Sequence, residues 1–187
     1  MRVRPGVKLT YDDLVLFPED GKRHELIDGE HYVTAAPIRK HQAIVMNLSG
    51  LIWSYLQQRP IGRVYSAPFD VIFSDFDVVE PDLLYISNER AQQIETSPCV
   101  KGPPDLVIEI GSPGTRRRDE TIKLRLYERF AVREYWIVDP ERDLIKVFRL
   151  VNEHYQRVAE LLLENDDVLT TPLLPQLEMR LTKIFEE

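Results

Sequence analysis

The sequence predicts an α/β fold: a mixed β-sheet flanked by helices, with an N-terminal β-hairpin and a C-terminal antiparallel extension. Three observations carry this. From Pro103 to Pro140 the chain reads strand, tight turn, helix, strand, a right-handed βαβ unit with parallel strands. From His41 to Gln57 the apolar residues Ile44, Val45, Leu48, Leu51, Ile52, Tyr55 and Leu56 recur at helical spacing and form one broad stripe to bury. Asp28-Gly29, flanked by strand-like runs in HELIDGEHYVT, is the dipeptide best suited to a two-residue hairpin turn.

The elements follow in order. Thr10 with Asp13 marks a short first helix carrying Leu14, Val15 and Phe17, which Pro18 ends, and Glu19 to Gly21 is a polar turn. On the first hairpin strand Glu25 shares a face with Ile27 and opposes Leu26, so its burial is less certain from pattern than that of Glu109. The long helix stops at Pro60 and Gly62. His41 sits in its first turn, where a surface or capping role is the commoner one, and Trp53 lies outside the stripe's centre, at its edge or at an interface. Arg63 to Phe73 reads as one strand interrupted at Pro68, and Ser74 to Asp77 as a turn. Pro81 lacks an N–H and suits the first position of the next strand, with Asp82 directly after it; alone, that is an ordinary turn aspartate.

Asn88 to Glu95 is helix-compatible, and Ser97 to Pro104 is a loop that holds Cys99. GSPGT turns the chain, Asp119 starts a helix with Ile122, Leu126, Tyr127 and Phe130 on its buried side, and Arg133 to Val138 is a strand. Leu144 to Val151 and His154 to Leu162 form an antiparallel pair joined at Asn152-Glu153, and Asn165 to Asp167 is a further turn. The tail, with Leu173, Leu174, Leu177, Leu181, Ile184 and Phe185, has enough apolar surface to pack back on the domain or on a partner chain.

Composition narrows the class. A chain of 187 residues, 43% of them hydrophobic and without repeats, fits one domain over residues 1–187. The net charge of -7 excludes a protein that coats nucleic acid through overall charge, but leaves room for a local basic surface at Arg116, Arg117 and Arg118. Cys99 is the only cysteine, so there is no intrachain disulfide and no zinc-type ligand set. MRVRPGVKLTYDD has no apolar core of signal-peptide length, and no run of apolar residues is long enough to span a membrane. The expectation is a cytoplasmic protein with no membrane partner.

The chemistry centres on Glu109, placed amid Leu106, Val107, Ile108 and Ile110 on a strand that is apolar on both faces and therefore covered on both. Burying an unpaired carboxylate there costs roughly several kcal/mol, so a proton, a cationic side chain or a metal ion must neutralise it. Asp82, at the start of another apolar strand, converges with Glu109 if the two strands are neighbours. Two carboxylates, waters and a substrate phosphate are the shell that Mg²⁺ prefers. Lys123, about one turn into the following helix, reads equally as a solvated lysine, as the counter-ion of Glu109, or as a group that stabilises a phosphoryl charge. Arginines at a helix start usually only solvate it, but here their charge opposes the helix dipole, which suits them to a phosphodiester backbone.

Six segments in order, HELIDGE, RKH, VEPDLLYIS, PPDLVIEIGSP, RRDETIKLRLY and VREYWIVDP, resemble the Uma2 (DUF820) family of the PD-(D/E)XK, or restriction-endonuclease-like, superfamily. The resemblance covers Thr10 to about Leu150. It implies a metal-dependent endonuclease acting on nucleic acid, DNA more than RNA, with Pro81-Asp82 as the first half of the motif and Glu109 as its acid. It further implies Mg²⁺ or Mn²⁺ on Asp82 and Glu109 with the Ile110 carbonyl as a third ligand, Lys123 as a motif lysine displaced to the helix, and Glu25 as an accessory carboxylate. The sequence departs from the pattern at Gly111, where the strict motif has lysine two positions after its acid; Gly111 and Gly114 also stand where EILSPS has leucine and serine. Two other classes remain open: a nuclease fold kept as a nucleic-acid or protein binding module, and a homodimeric regulatory protein assembled through the apolar tail or the Trp53 edge.

Overall fold

The computed structural model describes residues 7–18, 20–34, 36–96, 98–112 and 114–187. Glu19, Ser97 and Pro113, which belong to expected turns and a loop, lie outside the described residues, as does the chain before Val7. The first half comprises α1 (Tyr11–Leu14), β1 (Arg23–Ile27), β2 (Glu30–Thr34), α2 (Arg39–Gln58), β3 (Gly62–Ser66), β4 (Val71–Ser74), β5 (Asp77–Val79), β6 (Leu83–Ser87), α3 (Asn88–Ile94), β7 (Glu95–Thr96) and β8 (Cys99–Lys101). Next come β9 (Leu106–Ile110), α4 (Arg116–Arg118), a π-helical turn (Asp119–Lys123), α5 (Leu124–Arg129) and β10 (Glu134–Asp139). The chain ends with β11 (Leu144–Val151), β12 (His154–Leu162), a 3₁₀ turn (Leu163–Asn165), β13 (Val168–Leu169), β14 (Met179–Arg180) and α6 (Leu181–Ile184).

Among the described residues the strands make two mixed six-stranded sheets and one short pair. The first sheet runs β12-β11-β10-β9-β6-β3, the second β2-β1-β5-β4-β8-β7, and β13 pairs with β14. The expected βαβ unit is present: β9 and β10 are parallel, and α4 to α5 connects them. So is the hairpin: Asp28 and Gly29 both have positive φ, as a two-residue turn of this kind demands. Thr10 and Asp13 form the expected capping box.

The first sheet is covered on both faces, which explains its nearly continuous apolar strands. Leu106, Ile108, Ile110, Leu83, Tyr85, Trp136 and Val138 pack under α2 against Ile44, Leu48 and Ile52. The alternate residues Val107, Leu84, Ile86, Tyr135 and Ile137 meet Leu126 and Tyr127 of α5 and Ile27, Val71 and Val79 of the second sheet. Glu109 shares the face of Val107, so it points into the layer between the sheets. The tail packs on its own chain: Leu174, Leu181, Ile184 and Phe185 join the α2 core, and the Asn47 amide donates to the carbonyls of Ile184 (3.1 Å) and Glu186 (2.8 Å).

Two expectations need correction. Arg63 to Phe73 is two strands in different sheets, β3 and β4, because Pro68 has no N–H to donate and the chain leaves one sheet for the other around it. Cys99 lies on β8 and is buried among Leu9, Leu14 and Leu26. Among the described residues no helix is long and apolar enough to cross a membrane.

Candidate active site

The antiparallel register of β6 and β9 sets Leu83 opposite Ile108, so the next residue along, Asp82, lies beside Glu109. A backbone bond locks this arrangement: the Ile110 amide donates to Asp82 Oδ2 at 2.8 Å. Arg23 Nη1 donates to Oδ1 at 2.6 Å, and His41 Nε2 lies 3.2 Å from Oδ2. Burial pushes the Asp82 pKa up, but hydrogen bonding and electrostatic pairing with His41, the Arg23 charge and the Ile110 amide outweigh it and hold the carboxyl below its ordinary value.

Glu109 behaves in the opposite way. Its Oε1 accepts from Lys123 Nζ at 2.8 Å and from the Tyr127 hydroxyl at 2.6 Å. Burial nevertheless pushes it up to about 8; Lys123 opposes the rise, and Asp119, Asp82 and Glu25 add to it. Lys123 also donates to Glu25 Oε1 at 2.7 Å, and its three acidic neighbours overcome burial to raise its pKa, so it stays protonated. Tyr127 is raised well above its ordinary value, chiefly by burial, and stays a neutral donor.

The helix supplies its groups as one column. Asp119, Lys123 and Tyr127 are spaced by four residues and are all buried. The π-helical turn that holds the first two is a widened segment of a kind often found at functional sites. Asp119 is thus inside the helix and turned into the cavity, not its cap; the helix begins at Arg116. Glu25 is 1% exposed, more deeply buried than the hairpin pattern indicated, because the second sheet brings β1 against β5 and places the Glu80 amide 3.1 Å from Oε1. Its Oε2 is buried without a hydrogen bond, 3.6 Å from Arg118 Nη2.

Apart from Tyr127, which lies behind Glu109, these groups line a cavity of about 320 Å³. Five acids face it, Glu25, Glu80, Asp82, Glu109 and Asp119, against the three cations Arg23, Arg118 and Lys123. The excess is visible in Glu80, which burial, then Asp70 and Glu25, push up to about 7. Among the described residues no cluster of three or more His, Cys, Asp or Glu side chains is arranged to hold a metal ion. The oxygen donors that could hold one are the Asp82 and Glu109 carboxylates, with Ile110 lining the same cavity. They are hard donors, few in number, of the kind Mg²⁺ completes with water. The surplus of acid, and a Glu25 Oε2 that is buried without a hydrogen bond, agree with a cationic guest.

Comparison with known proteins gives the lineage. The Uma2 family, described as "Putative restriction endonuclease", matches residues 10–182. The chain belongs to the Uma2 family. Its fold is shared with a crystal structure described as a "putative nuclease belonging to DUF820" from Anabaena variabilis ATCC 29413, with a TM-score of 0.78 and 22% identity over 95% of this chain and 97% of that one. No curated protein matches the chain in sequence.

In this Uma2 chain Asp82, Glu109, Lys123 and Glu25 come together, and Ile110 lines the same cavity. Gly111 continues β9, its amide donating to the Val138 carbonyl at 2.8 Å, and the lysine that reaches Glu109 comes from the helix. The arginine run divides. Arg116 is bound to Asp139 (2.8 Å) and Glu141 (2.7 Å), Arg117 is exposed, and Arg118 lines the cavity, donating to Thr34 Oγ1 at 2.6 Å over the Tyr32 ring. Arg23, Glu80, Asp119 and Tyr127 belong to the site although the sequence did not single them out, and His41 is buried against Asp82 where a capping role was the commoner expectation. The four-residue spacing of Asp119, Lys123 and Tyr127 was the available signal.

Proposed function

We propose that this chain is a divalent-metal-dependent endonuclease that hydrolyses phosphodiester bonds in nucleic acid, with DNA as its substrate in preference to RNA. The observation that carries the reading is the meeting of Asp82 and Glu109 on adjacent strands with Lys123 hydrogen-bonded to Glu109. Family membership supports the reaction class. Asp82, Glu109 and the Ile110 carbonyl would hold Mg²⁺ or Mn²⁺. Bound there, the ion would neutralise phosphate charge and lower the pKa of an attacking water.

The chain's own groups do the rest. Lys123, kept protonated by its acidic neighbours, orients the nucleophilic water or stabilises charge on the pentacovalent phosphorus. Glu25 fixes Lys123, and would serve as an accessory carboxylate toward a bound ion. Arg23, His41 and the Ile110 amide hold Asp82 ionised and in one orientation. Arg118, at the cavity wall, and Arg117, exposed beside it, meet the phosphodiester backbone.

Calorimetric titration with Mg²⁺ and Mn²⁺ is the first test, followed by incubation with supercoiled DNA, single-stranded DNA and RNA. Metal binding lost in Asp82→Ala and Glu109→Ala, with nicking of DNA by the native protein, is the expected result. No metal binding, or binding unchanged in both variants, overturns the reading. One observation favours a binding module instead: Arg23 and Lys123 already pair with the carboxylates, so the site can hold itself together without a metal. That reading predicts nucleic-acid retention with no metal binding and no cleavage.

A further inference from the structure

The cavity that holds five acids and three cations also has a wall without charge: Ala36, Pro37 and Ile38, on the chain that enters α2. Ile38 is 58% exposed and belongs to none of the hydrophobic clusters of the described residues. It is also the N-cap of the helix. Its backbone is extended, and its carbonyl accepts the first helical bond, from the Gln42 amide at 3.2 Å.

Two local preferences fail at this point. An N-cap is ordinarily Ser, Thr, Asp or Asn, whose side-chain oxygen satisfies a free amide of the first turn, and isoleucine is among the poorest residues there. Ile38 makes no such bond. The turn that follows carries Arg39 and Lys40 and no acid, so its charges oppose the helix dipole. Ion pairs with Glu187 (2.7 Å) and Asp143 (2.8 Å) answer them, but Arg39 keeps 88% of its side chain in solvent. Local rules broken together, with no gain to the single chain, mark a place where a ligand is met.

An apolar tip followed by positive charge matches the make-up of a nucleotide, a base with an apolar face and the phosphate it is joined to. The position is close to the chemistry. His41, one turn along from Ile38, lies 3.2 Å from Asp82 Oδ2, and three residues of helix rise only about 4.5 Å. Ile38 therefore stands by the nucleotide next to the bond to be cut. In a paired duplex stacked neighbours cover the faces of that base, and only its edges reach the grooves; an unpaired nucleotide offers its face.

We infer that Ile38, with Pro37 beside it, receives the face of an unpaired base flanking the scissile phosphate, which makes unpaired nucleic acid the preferred substrate of the site. The inference rests on the nuclease reading and adds the substrate class to it.

Fluorescence anisotropy with one sequence, offered as single-stranded DNA, single-stranded RNA and blunt DNA duplex, tests it, with Ca²⁺ replacing Mg²⁺ to keep the strands uncut. The native chain should bind a single strand at least about 10-fold more tightly than the duplex. Ile38→Ser should weaken single-strand binding about 5–10-fold, as expected for roughly half of an isoleucine side chain left in water, and change duplex binding by less than about twofold. Ile38→Leu should bind as the native chain does. Because serine is a good N-cap, Ile38→Ser should at the same time raise Tm by about 2–4 °C, which separates lost binding from lost folding. Met46→Ser, 68% exposed elsewhere on α2 and outside the cavity lining, should leave binding unchanged. Equal binding of single strand and duplex, or an Ile38→Ser chain that binds the single strand as well as the native one, overturns the inference and leaves the nuclease reading standing. A chain that binds none of the three overturns the nuclease reading as well.

Discussion

Replacing Lys123 by methionine keeps the buried stem and deletes the charge that two carboxylates share. Lys123 Nζ lies 2.7 Å from Glu25 Oε1 and 2.8 Å from Glu109 Oε1, and all three side chains are buried. Breaking a buried pair from one side costs about 3–5 kcal/mol, a large share of the roughly 5–15 kcal/mol that holds a domain folded. A proton recovers part of this. Burial already raises Glu109 from 4.5 to about 8 even with Lys123 opposing, so removing Lys123 raises it further. A carboxyl whose pKa is raised in the folded state favours folding below its unfolded value and loses that stability as pH rises through the folded one. The deficit of Lys123→Met should therefore be about 3–5 kcal/mol near pH 8.5 and smaller by at most about 1 kcal/mol near pH 5, because Glu109 keeps its proton in both chains until the pH approaches 8. Urea unfolding at the two pH values, with equal m-values, measures it. A deficit below about 1 kcal/mol at pH 8.5 refutes the account of Lys123 as the shared counter-ion. Metal binding should survive in this variant while nicking falls at least about 100-fold. Adding Gly111→Lys should restore part of the nicking: position 111 shares the face of Glu109, and a Cβ there would approach the Val138 carbonyl at a tolerable 3.4 Å.

Three further outcomes follow from the geometry. His41→Leu removes a partner of Asp82 Oδ2 and should weaken Mn²⁺ binding by about 10–100-fold in calorimetry without unfolding the chain, as loss of a ligand-orienting group does. Arg117→Ala should weaken binding to a fluorescent DNA oligonucleotide and reduce the salt slope by about one, whereas Arg116→Ala should change the slope little, because Asp139 and Glu141 already engage Arg116. At the turn between β11 and β12, Glu153 has a φ of 68°, so Glu153→Gly should raise stability by about 0.5–1 kcal/mol in urea melts.

Much of the fold was legible because local signals and tertiary structure agree. Asp28-Gly29, Asn152-Glu153 and the Thr10 to Asp13 cap each encode their geometry within a few residues, and the α2 stripe encodes its buried face. The division into two sheets was not legible. Nothing between Arg63 and Phe73 except Pro68 says that the chain changes sheets, and β7 and β8 are too short for period-two alternation to show. At the site, Asp82, Glu109 and Lys123 could be read, since a charged residue amid apolar ones asks for a partner. Arg23 and Glu80 could not, because a charged residue at the end of a short strand looks solvated until the sheets close over it. Glu25 was underestimated for the same reason: its burial comes from β5, which joins β1 from fifty residues away.

The two central carboxylates are neighbours, yet the fold drives their proton affinities apart. Asp82 receives an arginine, a backbone amide and His41, and it stays ionised. Glu109 receives one shared lysine and a tyrosine, sits among further acids, and retains its proton more readily. A core built for stability alone would replace such a group with a hydrocarbon side chain, which is often neutral or stabilising. Retaining it leaves one fixed charge beside one exchangeable proton, a pair of environments that suits a cation displacing the proton. If Glu109 takes part as proposed, metal binding near pH 7 should release about one proton, and the heat of binding should vary with the ionisation enthalpy of the buffer.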